Sequence, residues 1–126
     1  MKHLFFILLA FLLTACGGSG SPVVEVVGNY DFGVVTKGET VTAVLPLRNA
    51  GQATLVVENI STSCGCTTAT LSTMSLAPQE EATLVVSYDS GAHEADIGLL
   101  DRHVFVATND PEQAVVMIRF TALVEE

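Results

Sequence analysis

Two cysteines separated by a single glycine, Cys64 and Cys66, are the residues whose type and spacing most directly allow chemistry. In an extended strand, residues so spaced lie about 6.6 Å apart at Cα, near the upper limit for a disulfide. Gly65 between them allows the chain to bend and brings a small disulfide ring within reach. Because closing so short a loop removes little unfolded-state entropy, such a disulfide would add little to the stability of the fold.

Three interpretations of the cysteine pair stay open. A redox dithiol needs a nearby cation to lower a thiol pKa; the nearest basic residue in sequence is Arg48, and only folding could bring Arg102 close. A metal site would use the two thiolates for Cu(I) or Zn²⁺, with Met74, His103 or His93 as further ligands. The third interpretation, which we favour, is a structural disulfide or a buried reduced pair.

The sequence shows no other constellation that points to catalysis. It contains no serine nucleophile elbow, no phosphate-cradling glycine loop and no carboxylate pair in a mechanistic context. We therefore expect a protein that is not an enzyme and that carries no cofactor beyond a covalent lipid.

That lipid is predicted from the N-terminus. Residues 4–13 form an unbroken apolar run of ten residues, about half the length that spans a bilayer, so residues 1–15 are predicted to be a cleaved signal peptide. Thr14 and Ala15 before Cys16 resemble the lipobox of bacterial lipoproteins, which implies that Cys16 becomes an acylated N-terminus carrying palmitate-type chains. Residues 16–22, rich in glycine and serine, are then a flexible tether to the membrane.

The mature protein is predicted to be acidic and to lie in the cell envelope. The chain has 5 Lys and Arg against 14 Asp and Glu, a net charge of −9, and loss of Lys2 with the signal peptide leaves −10. Such an acidic domain argues against nucleic acid as a partner. Gly17 stands where inner-membrane lipoproteins tend to have Asp, so we expect a cell-envelope protein anchored in the outer membrane and facing the periplasm.

Residues 23–126 are predicted to form one all-β domain. Short β-rich runs alternate apolar and polar residues and are separated by turns rich in Gly, Pro, Asn and Asp. The predicted strands are residues 23–27, 30–35, 40–48, 54–61, 82–88, 103–108 and 114–124. About seven strands at this spacing predict an immunoglobulin-like antiparallel β-sandwich, although the chain lacks tryptophan and the distant cysteine pair of true immunoglobulin domains.

Several motifs along the predicted domain resemble those of one bacterial family. They are Tyr-Asp-Phe-Gly at 30–33, Lys-Gly-Glu at 37–39, Leu-Arg-Asn-Ala-Gly at 47–51, Ser-Cys-Gly-Cys-Thr at 63–67, Ala-Pro at 77–78 and Val-Ala-Thr-Asn-Asp-Pro at 106–111. Together they resemble domain-of-unknown-function family 1573, with its Cys-Gly-Cys-Thr signature. One departure is Gln79, which stands where the family usually has glycine.

The resemblance implies a fold and a general role. Members of the family are similar in fold to the immunoglobulin-like modules of major sperm protein and of the N-terminal domain of pilus chaperones, which generally bind proteins. We therefore expect a non-enzymatic binding or scaffold module that contacts another envelope protein, with strand addition to a sheet edge as its mode. The alternative is a lipoprotein that handles thiols or soft metals through Cys64 and Cys66.

Overall fold

The computed structural model describes residues 20–126, so the predicted signal peptide and Cys16 lie outside the described residues. The described chain forms nine β-strands, in two sheets that face each other. Their bounds are β1 Val24–Glu25, β2 Asn29–Thr36, β3 Thr40–Asn49, β4 Leu55–Thr62, β5 Thr67–Leu71, β6 Ser75–Leu76, β7 Glu81–Asp89, β8 Gly98–Thr108 and β9 Val115–Glu125. The predicted all-β sandwich is confirmed.

The first sheet has the order β1-β3-β7-β5 and the second the order β2-β9-β8-β4-β6. Neighbouring strands are antiparallel except β2 and β9, which run parallel, so the expectation of a wholly antiparallel sandwich was wrong on this pair. A tight hairpin joins only antiparallel neighbours, but β2 and β9 lie far apart along the chain and need no direct connection.

Alternating side chains of both sheets fill the space between them. The fully buried, larger members of this core include Leu47, Leu84, Val86, Ile118 and Phe120. These residues lie on the inward faces of β3, β7 and β9, because every second side chain of a strand points to the same side. A smaller cluster at one end contains Val35, Cys66, Tyr88, Ala122 and Val124, and this end carries the cysteine pair.

The predictions made from the sequence missed two strands and the start of a third. β5 was not among the predicted strands, and β6 has only two residues. β8 begins at Gly98 instead of His103, because its first half carries Asp101 and Arg102 among apolar residues and so hides the alternation.

The last two residues of the segment predicted as tether contact the domain. Pro22 is buried, and the carbonyl of Ser21 accepts a hydrogen bond of 3.0 Å from the backbone N–H of Gln52. These contacts attach residues 21 and 22 to the turn after β3, so neither belongs to a free tether.

Candidate functional site

The Cys64–Cys66 pair lies in the bend between β4 and β5 and forms a disulfide, with the two Cα atoms 5.2 Å apart. The backbone N–H of Thr67 donates to the carbonyl of Cys64 at 3.2 Å, which closes the bend and shortens the separation from its extended value. Gly65 does not adopt a left-handed φ, and a Cβ placed on it would meet nothing within 4 Å. The bend therefore does not depend on the glycine that suggested it.

The bend is attached to the neighbouring strands on both sides. The backbone N–H of Ser63 donates to the carbonyl of His103 at 2.9 Å, and the Ser63 hydroxyl accepts from the backbone N–H of His103 at 2.9 Å. On the other sheet, the N–H of Asp89 donates to the carbonyl of Cys66 at 2.9 Å. The disulfide thus bridges the end of the sandwich with its backbone fixed to β8 and β7.

The two sulfur atoms have different surroundings. Cys66 is 3% exposed and packs in the small core cluster, whereas Cys64 is half-buried at its margin. His93, an exposed residue of the connection between β7 and β8, places its Nε2 3.5 Å from the Sγ of Cys64. Arg102 on β8 donates from its Nε to the Sγ of Cys66 at 3.4 Å.

Arg102 is held in this position by a buried carboxylate. Its guanidinium forms an ion pair of 2.9 Å with Asp96, and the Tyr88 hydroxyl donates to the other carboxylate oxygen at 3.3 Å. Burial, followed by the charge of Asp96, raises the pKa of Tyr88 to about 12, so its hydroxyl keeps the proton that it donates. The ammonium of Lys37 donates to the carbonyl oxygens of His93 and Asp96 and ties the connection down.

The structure groups the predicted metal ligands differently from the sequence-based set. Ligand atoms of Cys64, Cys66 and His93 all lie within 4.8 Å of one another, and His103 is not part of this group. Arg102 turns towards the disulfide, so the next residue of β8, His103, points to the opposite face, where it contacts Asp101 at 3.5 Å.

Met74 lies at the other end of the sandwich. Its carbonyl accepts from the backbone N–H of Val57, five residues before the end of β4 at Thr62, a span of about 17 Å along the strand. The sequence thus identified the two cysteines and named Arg102 as the cation that folding could supply, whereas the choice of His103 and Met74 as ligands was wrong.

The edge of the first sheet is the second feature able to bind a partner. β1 pairs only with Asn49 and Arg48 of β3, and within residues 20–126 no other strand pairs with that side of β3. The N–H of Asn49 points to β7 and that of Ala50 to the β1 side. Because backbone groups alternate between the two sides of a strand, those of Thr42 and Val44 point to the open edge.

A shallow groove of about 250 Å³ adjoins the β1 end of this edge. Its apolar lining comes from Val26, Val27 and Pro46, and charged side chains stand around it. Pro46 has no N–H to donate, which suits the unpaired side of an edge strand.

The two-sheet arrangement is similar in fold to immunoglobulin-like and PapD-like domains. A human relative in fold is the ASH/PapD-like domain 7 of CEP192, which is 14% identical with a TM-score of 0.62 and a match covering 99% of both chains. The YadV chaperone is 13% identical with a TM-score of 0.57, and the match covers 84% of this chain and 53% of that one.

The sequence places the module in a family more specifically. Residues 25–124 match the family described as protein of unknown function (DUF1573), and the chain belongs to it. A protein of unknown function from Porphyromonas gingivalis W83 is 22% identical with a TM-score of 0.77, over 89% of this chain. This chain spans about half (51%) of the length of that protein. No curated protein matches the chain.

Within the described part of the chain, no helix has the length and apolar character that a membrane crossing requires.

Proposed function

We propose that this protein is a non-enzymatic binding module of the cell envelope, held at the outer membrane by lipid on Cys16 and facing the periplasm. In this proposal it binds an extended segment of another envelope protein along the open edge of β3. Similarity in fold to the YadV chaperone supports the general role, since an exposed sheet edge can accept an extended peptide as an added strand, as it does in chaperone–pilin complexes.

The observation that carries the proposal is the unpaired side of β3. An edge strand with free N–H and C=O groups can pair with an incoming strand, whose backbone hydrogen bonds then contribute most of the affinity. Thr42 and Val44 are exposed, Val44 to 64%, so the edge is accessible along the middle of the strand.

The adjoining groove allows this edge to select partner segments by their side chains. A strand added beside β3 would direct alternate side chains towards Val26, Val27 and Pro46, where an apolar side chain can be buried. Arg48 and Glu25 lie 3.5 Å apart at the groove, so charged partners would meet a pair that is already satisfied.

The test is site-specific photo-crosslinking in the cells that make the protein. With a photoreactive amino acid at residue 42, we expect a covalent adduct with one envelope protein, and none when the probe stands at exposed residue 58 of the other sheet. Val44→Pro should abolish the adduct, because it removes the N–H on the open edge but no bond to β7. Val44→Thr, which keeps that N–H, should preserve it.

Two results would contradict the proposal. One is the absence of any adduct at residue 42, and the other is an adduct that Val44→Pro leaves unchanged. Urea unfolding of both variants must show comparable stability, so that loss of the adduct reports on the edge and not on the fold.

A further inference from the structure

Charged side chains surround the disulfide at one end of the sandwich, and they take no part in the proposed binding at the β3 edge. β5, the strand that follows the disulfide, lies at the opposite edge of the first sheet from the open edge of β3, with β7 between the two strands. Cys64 and Cys66 share one bond but differ in burial, in hydrogen bonding and in neighbouring charge. In thiol–disulfide exchange one sulfur is attacked and the other leaves, and access and neighbouring charge decide which does which.

Cys66 has the surroundings of a leaving group. The Nε–H of Arg102 points at its Sγ from 3.4 Å, and Asp96 holds the guanidinium in that orientation. A positive group beside a sulfur lowers its thiol pKa and stabilises the thiolate that forms when the disulfide opens. The Thr67 hydroxyl, 3.6 Å from the same sulfur, can add a weak hydrogen bond.

Cys64 has the surroundings of the attacked sulfur. It lies at the margin of the cluster, and exposed His93 approaches its Sγ to 3.5 Å. The backbone N–H of Cys66 also donates to this sulfur at 3.1 Å. Cys66 is buried, so Cys64 is the more accessible of the two sulfurs. The nearby cavity lined by Thr67, Tyr88 and Arg102 measures about 10 Å³, the space of one water molecule at most, and does not admit a reacting group.

The same charges disfavour a metal ion at this place. Three possible ligand atoms cluster here, but a guanidinium 3.4 Å from one of the sulfurs would repel a bound cation. The positive side chains of Arg102 and Lys37 both contact the segment that carries His93 and Asp96. Among the described residues of that segment, Asp96 is the one buried carboxylate that can balance these two charges.

We propose that the Cys64–Cys66 disulfide is a reactive site that exchanges with thiols, with Cys64 as the sulfur that forms the mixed disulfide. The substrate class is a thiolate, R–S⁻. Its sulfur bonds to Cys64 Sγ as the Cys64–Cys66 bond breaks, and the electron pair of that bond stays on Cys66 Sγ beside Arg102.

A second thiolate completes the reaction. It attacks the R sulfur of the mixed disulfide, forms R–S–S–R and releases Cys64 as a thiolate, which takes a proton from His93 or water. Two electrons pass from the two thiols to the protein, and the products are R–S–S–R and a reduced Cys64–Cys66 pair. The step needs no other oxidant or reductant.

The unmodified protein supplies the first test. The oxidised full chain is mixed with glutathione, quenched with acid and mapped by mass spectrometry, and the mixed disulfide is expected on Cys64. A parallel reaction uses a synthetic two-cysteine peptide in place of glutathione. The faster of the two reactions identifies whether the thiolate substrate comes from a small thiol or from a protein dithiol. Trapping on Cys66, or no exchange with either thiol, would overturn the proposal.

Paired variants give the second test. Cys66→Ser leaves a free Cys64 at the margin of the cluster, whereas the Cys64→Ser control leaves a free Cys66 that is buried. Because exchange requires access to the sulfur, the free Cys64 should react with glutathione disulfide at least about tenfold faster than the free Cys66. Circular dichroism establishes that both variants fold. Equal rates in two folded variants would refute the assigned roles.

The thiol–disulfide equilibrium of Arg102 variants tests Arg102 as a positioning residue. In glutathione redox buffers, Arg102→Gln should shift the thiol–disulfide equilibrium about tenfold towards the disulfide, and Arg102→Lys should restore part of the shift. An unchanged equilibrium in folded Arg102→Gln, or a chelatable metal on free Cys64 and Cys66 thiols in protein purified from its native envelope, would overturn the proposal.

Discussion

Asp110 is a carboxylate buried at the end of the sandwich opposite the disulfide. It is 2% exposed and accepts hydrogen bonds from the backbone N–H groups of Val24, Glu112 and Gln113, at 2.9 to 3.1 Å. Burial by itself would raise the pKa of this carboxyl, but the three N–H groups outweigh it and lower the pKa below the ordinary value. One charged side chain thus joins the start of β1 to the turn between β8 and β9.

Asp110→Asn should reduce the free energy of unfolding by about 1–3 kcal/mol at pH 7, because it weakens charge-assisted bonds in a buried place. A lowered folded-state pKa stabilises the fold above the unfolded-state pKa near 4, and the contribution is lost as the pH falls through the folded-state pKa. Urea unfolding should therefore show a smaller difference from the unmodified protein at pH 3 than at pH 7.

The control for this comparison is Glu112→Gln, which changes an exposed neighbour whose backbone, not side chain, contacts Asp110. It should leave the stability nearly unchanged at both pH values. An Asp110→Asn loss that is the same at pH 3 and pH 7 would mean that the charge is not what stabilises this end.

At the residue scale, the sequence identified the cysteines better than their neighbours. Spacing along the chain was enough to single out Cys64 and Cys66, and Arg102 was the cation that folding could bring near. His93 could not be preferred over His103, because it lies in the connection from 90 to 97, whose path depends on contacts with Lys37 and with the disulfide bend. No periodic pattern predicts the course of such a connection.

At the scale of elements, the turn before β7 shows a conflict between local and global structure. Gln79 has a φ of 69°, in the left-handed region that glycine adopts without penalty. This is the position at which the resemblance led us to expect glycine. The Gln79 side chain compensates by hydrogen bonding to Arg48 and, at 3.3 Å, to the carbonyl of Gly51.

We expect Gln79→Gly to be more stable than Gln79→Ala by about 1 kcal/mol, the reverse of the usual order within a strand. Both variants lose the same side-chain hydrogen bonds, so the difference between them isolates the cost of the left-handed backbone. Denaturant unfolding of the pair measures it. Equal stabilities, or a more stable alanine variant, would show that the turn is not strained at this residue.

The strands that the sequence missed share a physical cause. Thr67–Leu71 is short and follows directly on the cysteine bend, and Ser75–Leu76 is too short for any alternation to appear. The second of these exists because Leu76 pairs with Leu55, 21 residues earlier, and Ser75 pairs with Val56, 19 residues earlier. Pairing between distant segments, not local preference, makes such residues extended.

At the scale of the whole molecule, the proposed anchor makes a direct prediction. Cys16→Ser should abolish labelling with radioactive palmitate and move the protein from the membrane fraction to the soluble fraction, because acyl chains would no longer hold it. The double variant Cys64→Ser and Cys66→Ser serves as the control and should remain labelled and sedimenting. A Cys16→Ser protein that still sediments with membranes would exclude this anchor.

The general architecture was accessible from the sequence, whereas its connectivity was not. Leu45, Leu84 and Phe120 stand at alternating apolar positions of their strands and are buried, and such alternation is enough to predict two sheets around a core. It does not tell which strand lies beside which, so the parallel neighbours β2 and β9 could not be foreseen. That pairing depends on how the ends of the domain meet.

The parallel pair gives the domain a mechanical property. If its N-terminal side were fixed and its C-terminal side pulled, the tension would run along β2 and β9 in opposite directions. The hydrogen bonds between these strands, which pair from Asn29 with Arg119 to Thr36 with Glu125, would then be sheared together instead of opening one after another. β1 pairs with β3 at two residues and is otherwise held by the hydrogen bond from Val24 to Asp110, so it would detach first and lengthen the segment before β2, while the sandwich behind it stayed closed.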